Sequence, residues 1–452
     1  MRTLGVSCYH HDSAAAYIRD GKIIAASHEE RFSRKKYDNS FPKNTISWLR
    51  EAHDDFDHAV FYEETTYKQF KTDIKKYTKA TPVLVDHHKA HAMSSILTTD
   101  WDKCAVMVVD TVGGKFSTSL GVYENGYITW IKQFRYPNSL GLFYSTATKF
   151  LGLTPLTDES QVMAAAAYGT PKWADYIKER VINTKLGEYT VLPELTRGIG
   201  SGVLDWDIAA SVQTVLEECL INLAKWLFKE TGFTNLAYAG GVALNCVANT
   251  KLLTNTPFCD IAIQPAAGDA GCALGAAALI DRPLWENAYL GIHANNTMTT
   301  EECAFKLLRG EVVAIVNGRA EFGPRALGNR SFLTVPFKNN YSKLDTIKQR
   351  TTDSWRPYAP VCLEKDADLY FDIPKKSYEM LYVAKSKNKH FTTNDGSARL
   401  QITNYTKNAY LSRVLELTRE EGYPILINTS LNAKGKPIVN TMDDFKEIQL
   451  CN

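Results

Sequence analysis

The sequence predicts a mixed α/β chain, with a duplicated α/β domain over residues 1–302 and a smaller α/β domain over 303–452. Three observations carry that prediction. Residues 4–9 form a short apolar run that opens into the polar loop His10-His11-Asp12, followed by apolar runs 14–18 and 23–26 around an Asp20-Gly21 turn. This reads as strand, loop, strand, turn, strand. The same order returns further along, as run 105–109, a loop that begins at Asp110, run 117–123, an Asn125-Gly126 turn and run 127–134. From Cys303 onward the texture changes to short strand-like runs at 312–316, 380–384 and 425–427 among basic loops.

Each repeat ends its first strand in a loop carrying a carboxylate, Asp12 or Asp110. A duplicated fold with a nucleotide between its halves is built this way, the actin-like, ribonuclease-H-like architecture shared with sugar kinases. Between 208 and 229 apolar residues recur at helical spacing, which predicts an amphipathic scaffold helix. A strand at 235–239 follows, then the glycine pair Gly240-Gly241, then a small-residue helix over 270–280 preceded by Gly268-Asp269. The composition is that of an ordinary globular protein: 452 residues, 44% hydrophobic, 23% charged, 52 Lys+Arg against 50 Asp+Glu. A formal charge of +2 gives no global field for nucleic acid or anionic membrane. The nine cysteines are scattered and include no C-x-x-C pair, and the N-terminal apolar stretch is interrupted by two histidines and an aspartate. We therefore expect free thiols and a cytoplasmic protein.

Several constellations carry chemistry. In His87-His88-Lys-Ala-His91, a helix starting at the first histidine places His87 and His91 on one face. Such a pair alone is more often a satisfied core cluster than a ligand pair. Asp110 at a strand end and Asp269 before the small-residue helix complete a donor set suited to Fe(II), Mn(II) or Zn(II). Gly240, Gly241 and Asn245 follow a strand, where absent side chains let backbone N–H groups approach a phosphate, or where they form only a turn. The second domain concentrates cations: Arg319, Arg325 and Arg330 in GRAEFGPRALGNRS, then Lys348, Arg350, Arg356 and Arg399. Guanidinium forks suit polyanionic substrates, while a solvated basic face is the alternative. Asn428, Ser430 and Asn432 line up short polar side chains after a strand, for a phosphate or for a turn. Residues 67–79 interleave lysines with Tyr67, Phe70 and Tyr77, the pattern of an exposed basic helix or of a strip that stacks nucleic-acid bases.

The stretches HHDSAAAYIRDGKIIAASHEERFSRKKYD, VDHHKAHA, AAAAYGTP, YAGGVALNCVANT, PAAGDAGCALGAA, GRAEFGPRALGNRS, WRPYAP and INTSLNAKGKPIV resemble, in order, the O-carbamoyltransferases of nodulation and antibiotic tailoring (NodU/CmcH type). The resemblance implies an actin-like N-terminal domain of the threonylcarbamoyl-transferase kind and a YrdC-like C-terminal domain. It also implies carbamoyl phosphate, ATP with Mg(II), and transfer from carbamoyl-adenylate to an acceptor hydroxyl. His87, His91, Asp110 and Asp269 resemble the metal ligands, and Gly240, Gly241 and Asn245 the nucleotide contacts. Arg325, Lys348, Arg356, Arg399, Asn428 and Ser430 resemble the carbamoyl-phosphate and ATP contacts. Where a strand opens toward the expected cleft, His11 or Asp12, with His10 equally available, would take the acceptor's proton.

The chain departs from the pattern at Ser160-Gln161, where Gly-Lys is usual, and at Thr393, where a histidine is usual. The interval from Arg350 to Arg356 is longer than usual, and the chain ends soon after PIVNTMDDFKE, as a short member would. The acceptor implied is a small natural product, a sugar alcohol or a hydroxymethylated pyrimidine, including one in DNA; no membrane partner is expected, and the resemblance leaves room for a homodimer. Two other readings compete: threonylcarbamoyl transfer to tRNA, opposed by the fused second domain, and a non-catalytic actin-like nucleotide sensor.

Overall fold

The computed structural model describes the chain except residues 54, 193–202, 296–297, 351–353, 389–391 and 451–452, and the side chains of 447–450. It divides into two compact units, Met1–Ala25 with Asn39–Glu286, and Ala26–Asp38 with Asn287–Asn452. No helix among the described residues is long and apolar enough to cross a membrane. The eight described cysteines are free thiols, and Cys451 lies outside the described residues.

The first unit holds two five-stranded sheets. One is built from β1 (Arg2–Ser7), β2 (Ala14–Arg19), β3 (Lys22–His28, which crosses into the second unit after Ala25), β4 (His58–Phe61) and β5 (Thr81–Leu84), in the order β3-β2-β1-β4-β5. The other is built from β6 (Lys103–Gly113), β7 (Phe116–Glu124), β8 (Tyr127–Arg135), β11 (Asn235–Ala239) and β12 (Asp260–Ala262), in the order β12-β11-β6-β7-β8. A small hairpin, β9 (Ile182–Lys185) and β10 (Glu188–Val191), stands apart. In each large sheet the first strand pairs antiparallel with the second and parallel with the fourth, and the fifth is parallel to the fourth. The order is therefore the same in both halves, as the sequence repeat predicts. The strands β1, β4 and β6 read as nearly continuous apolar runs because both faces are covered.

Helices of the first unit begin where short polar side chains can cap them. Asp86 accepts from the backbone N–H of Lys89 at 2.8 Å and starts the His87–Ile96 helix; Asp205 accepts from Ile208 and starts Trp206–Thr231, which Gly232 ends at φ 65°. The Asp269–Ala278 helix is small-residued for a steric reason. A Cβ on Gly275 would overlap the Ala90 carbonyl of the histidine helix, and one on Gly5 of β1 would overlap the Ala273 carbonyl. The helix thus lies backbone-to-backbone against both neighbours.

The second unit has a mixed sheet ordered β14-β16-β22-β17-β21, from β14 (Val313–Val316), β16 (Arg330–Thr334), β22 (Ile425–Ser430), β17 (Ala359–Leu363) and β21 (Gln401–Thr403). Its pairs are antiparallel except β17 with β21. Two smaller sheets accompany it: β13 (Tyr289–Ala294) with β15 (Gly318–Glu321), and β18 (Phe371–Asp372), β19 (Ala384–Ser386) and β20 (Ser397–Ala398). Of the apolar run at 380–384, only Ala384 lies in a strand, at the start of β19. Met380 turns at φ 59° and the Leu381 N–H is held by the Ser377 hydroxyl at 2.9 Å, so these side chains are buried from an irregular segment.

Gly275→Ala is expected to lower stability by about 1–3 kcal/mol, the usual cost of overpacking, read as a shift of the denaturant midpoint.

Candidate functional site

In the first unit, β6 carries Asp110 past the regular ladder. Pairing with β7 runs to Val109–Thr118 and resumes only at Gly113–Phe116, so a bulge re-aims the carboxylate. His87 and His91, one turn apart on the histidine helix, stack at 5.0 Å between ring centroids. Nε2 of His91 lies 3.3 Å from both Asp110 Oδ2 and Asp269 Oδ1, and Nε2 of His87 lies 3.8 and 3.7 Å from the same atoms. Neither Nε2 makes a hydrogen bond, although both histidines are buried. Four residues from three elements thus converge, and His87 and His91 share one helix face as their spacing predicts.

Two further residues belong here that sequence reasoning missed. Glu63, just beyond β4, pairs through Oε2 with Nδ1 of His87 at 3.1 Å, which orients the ring so that Nε2 faces the carboxylates. Its signal was the one that marked Asp110, a carboxylate ending an apolar strand. Cys272 lies one helical turn after Asp269, and its Sγ and the ligand atoms of His87, His91 and Asp269 all fall within 4.8 Å of one another. His88 turns away to the Ser119 hydroxyl at 2.6 Å.

The electrostatics are those of a buried charge cluster. Burial alone would lower His87 and His91, but the Asp269 carboxylate, with Glu63 beside His87 and Asp110 beside His91, raises both well above the usual imidazole value. Burial pushes the carboxylates up, yet the imidazoles hold Asp110 and Asp269 below the ordinary range and Glu63 down to about 2. Burial and the charges of His87 and His91 depress His88 to about 3, so it stays neutral. The unbonded buried nitrogens facing two carboxylates fit a divalent cation, whose charge would replace the protons held here.

The loop after β1 carries the three candidate bases. His10 is exposed. His11 pairs through Nδ1 with Asp12 Oδ2 at 3.1 Å, and its Nε2 meets the Leu156 carbonyl at 2.8 Å. Desolvation works against the charged ring, but Asp12, Asp269 and that carbonyl raise it to about 9. Asp12 itself sits at φ 34°, in the left-handed region.

The glycine pair behaves differently from an open phosphate cradle. Gly240, at φ 96°, presses against Val109, where a Cβ would overlap the carbonyl. Its N–H donates to Ala267 at 3.1 Å, and that of Gly241 to Asp110 Oδ1 at 3.3 Å, so both are already occupied. Asn245 caps the Cys246–Asn255 helix through its side-chain carbonyl oxygen and exchanges bonds of 2.9 and 3.1 Å with Gln213, with the Tyr144 hydroxyl also beside its amide. At the departures, Gln161 bonds the helix-initiating Asp158, and Thr393 closes a turn on Asp395 and Ser397.

In the second unit the cations sort into two kinds. Arg330, fully buried, donates to the carbonyls of Asn440, Asn317, Gly318, Asn329 and Ile292, and Arg319 to those of Gly291 and Leu290. Those two guanidinium groups are structural rather than substrate-facing. Lys348, also buried, donates from Nζ to the carbonyl of Ser430 at 2.6 Å, its hydroxyl at 3.2 Å, the carbonyl of Asn432 at 2.9 Å and the Asn432 side chain. All four partners are neutral oxygens. Burial, then repulsion from Arg350, Arg356 and Lys36, pushes its ammonium well below the usual lysine value. Arg325, Arg356 and Arg399 are half-buried on the turns before β16, before β17 and after β20. Asn428 is fully committed as a donor, to Gln401 Oε1 at 2.6 Å and the Ala326 carbonyl at 3.2 Å, so it offers a phosphate no N–H.

Residues 67–79 place their lysines outward and their rings inward. Phe70 is fully buried and stacked on Phe61, and Tyr67 and Tyr77 pack against the same core. This removes the base-stacking part of the nucleic-acid reading.

The chain matches the carbamoyltransferase N-terminus over residues 2–82, 60–197 and 191–278, and the carbamoyltransferase C-terminus over 304–450. It belongs to the carbamoyltransferase family. An uncharacterised protein of Synechocystis sp. is 32% identical over 98% of this chain and 93% of its own length. Nodulation protein NolNO of Sinorhizobium fredii is 30% identical over 96% and 76%. The 3'-hydroxymethylcephem-O-carbamoyltransferase of Streptomyces clavuligerus is 27% identical over 96% and 94%. Among solved structures, component A of the Acidaminococcus fermentans (R)-2-hydroxyglutaryl-CoA dehydratase covers 62% of this chain and 98% of its own at 20% identity and a TM-score of 0.41. At that level the strand order itself, not the likeness, carries the fold. The protein is thus an enzyme that transfers carbamoyl groups.

In the metal-free protein, a His11 raised from 6.5 to about 9 adds stability that is full below pH 6.5 and is lost as pH rises through about 9. The stability gap between wild type and His11→Gln is expected to shrink across that window in denaturant titrations.

Proposed function

We propose that this carbamoyltransferase is an ATP-dependent O-carbamoyltransferase. The second unit, proposed to be YrdC-like, forms carbamoyl-adenylate from carbamoyl phosphate and ATP with Mg(II). The first, proposed to be actin-like, passes the carbamoyl group to an acceptor hydroxyl. The observation that carries this reading is Lys348: a buried ammonium bonded only to neutral oxygens and repelled by Arg350 and Arg356. The Lys348 ammonium has no anion among its hydrogen-bond partners, and the dianion of carbamoyl phosphate and the phosphates of ATP are anions of the right kind.

In this mechanism Lys348, Arg356, Arg325 and Arg399 neutralise the phosphates, while the Ser430 hydroxyl, which accepts from Lys348 and donates to Asn432 Oδ1 at 2.6 Å, positions the lysine. Forming the adenylate consumes one water and releases the phosphate of carbamoyl phosphate as inorganic phosphate and the β- and γ-phosphates of ATP as pyrophosphate; it makes the carbamoyl carbon electrophilic, with AMP as leaving group. His87, His91, Asp110 and Asp269 would hold a divalent cation, Fe(II) with Mn(II) or Zn(II) as alternatives, which when bound supplies Lewis-acid charge beside a phosphate. The His11–Asp12 pair, or His10 beside it, receives the acceptor's proton. Asn245 would contact the nucleotide. The acceptor proposed is a primary alcohol, the hydroxymethyl chemistry named for the cephem relative, with hydroxymethylated pyrimidines as the competing class.

The test is mass spectrometry with a pyrophosphate assay, using ATP, carbamoyl phosphate, Mg(II) and Fe(II), with a panel of small alcohols and, in parallel, hydroxymethylcytosine-containing DNA. Pyrophosphate release is expected to require carbamoyl phosphate and to fall by about 10²-fold or more in Lys348→Met. His91→Ala is expected to keep adenylation and to lose both bound metal and transfer. ATP turnover independent of carbamoyl phosphate would overturn the reading.

A further inference from the structure

Cys272 raises a question that packing does not answer. It is fully buried on the Asp269–Ala278 helix, where alanines fill the neighbouring positions 270, 273, 276, 277 and 278. It packs with Val60, Tyr62, Ala90 and Ala276, a contact that needs no sulfur. A thiol stands there nonetheless, within 4.8 Å of the ligand atoms of His87, His91 and Asp269. The second observation is His91, which is 0% exposed with neither ring nitrogen hydrogen-bonded, and whose Nε2 faces the Asp269 carboxylate at 3.3 Å. Two imidazoles, a carboxylate and a thiol therefore converge at a buried point where the imidazole Nε2 atoms lack hydrogen-bond partners.

We infer that Cys272 is a ligand of the metal, so that the chain builds a thiolate-containing centre from His87, His91, Asp269 and Cys272. The inference rests on the metal reading above and goes beyond it. Asp269 and Cys272 occupy positions i and i+3 of one helix, so both project from the same face toward the histidine helix. On binding, the Cys272 S–H loses its proton to solvent and a sulfur–metal bond forms, with no change of oxidation state. Asp110, whose Oδ1 takes the Gly241 N–H, remains beside the imidazoles as a further oxygen donor. A soft sulfur donor moves the preference away from Mn(II) and toward Zn(II), Co(II) or Fe(II).

The experiment titrates Co(II) and, separately, Zn(II) and Mn(II) into metal-free full-length protein, following absorbance and bound metal. Wild type is expected to show a near-ultraviolet sulfur-to-cobalt charge-transfer band at one equivalent. Cys272→Ser is expected to bind Co(II) without the band, with affinity for Co(II) and Zn(II) lowered by about tenfold or more and affinity for Mn(II) unchanged. X-ray absorption of Zn(II)-loaded wild type, which needs no variant, is expected to show one sulfur scatterer at about 2.3 Å. Stoichiometric Co(II) binding by wild type without the band, or the same band in Cys272→Ser, would overturn the inference and leave the metal site standing. Absence of Co(II) binding would overturn both.

Discussion

The functional geometry of the first unit depends on one steric constraint, the backbone contact between the helix that carries Asp269 and the helix that carries the histidines. Gly275 lies where any side chain would enter the Ala90 carbonyl, and Gly5 does the same between that helix and β1. Only at this separation does a short aspartate reach an imidazole: His91 Nε2 and Asp269 Oδ1 stand 3.3 Å apart. A bulkier helix would set the ligands further apart, and the bulge at the end of β6 could not compensate, because it aims Asp110 at the same point.

Such proximity is costly in the absence of a ligand, and the two units meet that cost in opposite ways. In the first, carboxylates and imidazoles compensate each other, so that His87 and His91 stay charged and Asp110 and Asp269 stay ionised despite burial. In the second, Lys348 is surrounded by neutral oxygens and other cations, and its charged form is disfavoured. One site is poised to exchange protons for a cation, the other to gain an anion.

The division of the chain adds a point about connectivity. Residues Ala26–Asp38 follow the first hairpin in sequence but belong to the second unit, where Arg34 donates to the carbonyls of Pro437 and Ile438 and pairs with Asp444 at 3.6 Å. Arg31 is buried there and bonded to the Gly323 carbonyl at 3.0 Å. Arg31 is thus part of that unit's interior, together with Arg330 and its five carbonyl partners.

Local pattern determined a good deal on its own. The repeated strand-turn-strand units, the histidine helix and the small-residue helix follow from apolar period, turn chemistry and capping, which are properties of neighbouring residues. The candidate set His87, His91, Asp110 and Asp269 was legible because His87 and Asp269 begin helices, His91 follows His87 by one turn, and Asp110 ends the apolar part of β6. What only the tertiary structure decided are the partners supplied from distant segments. Glu63 and Cys272 join the cluster through sheet order and helix packing. Gly240 and Gly241 spend their N–H groups on Ala267 and Asp110, and Arg319 and Arg330 spend theirs on backbone carbonyls. The rings of residues 67–79 turn inward because a core lies on that side. A side chain's chemistry is written in its own letter, but whether its hydrogen-bonding groups remain available depends on what folding places opposite them, and burial makes that pairing obligatory.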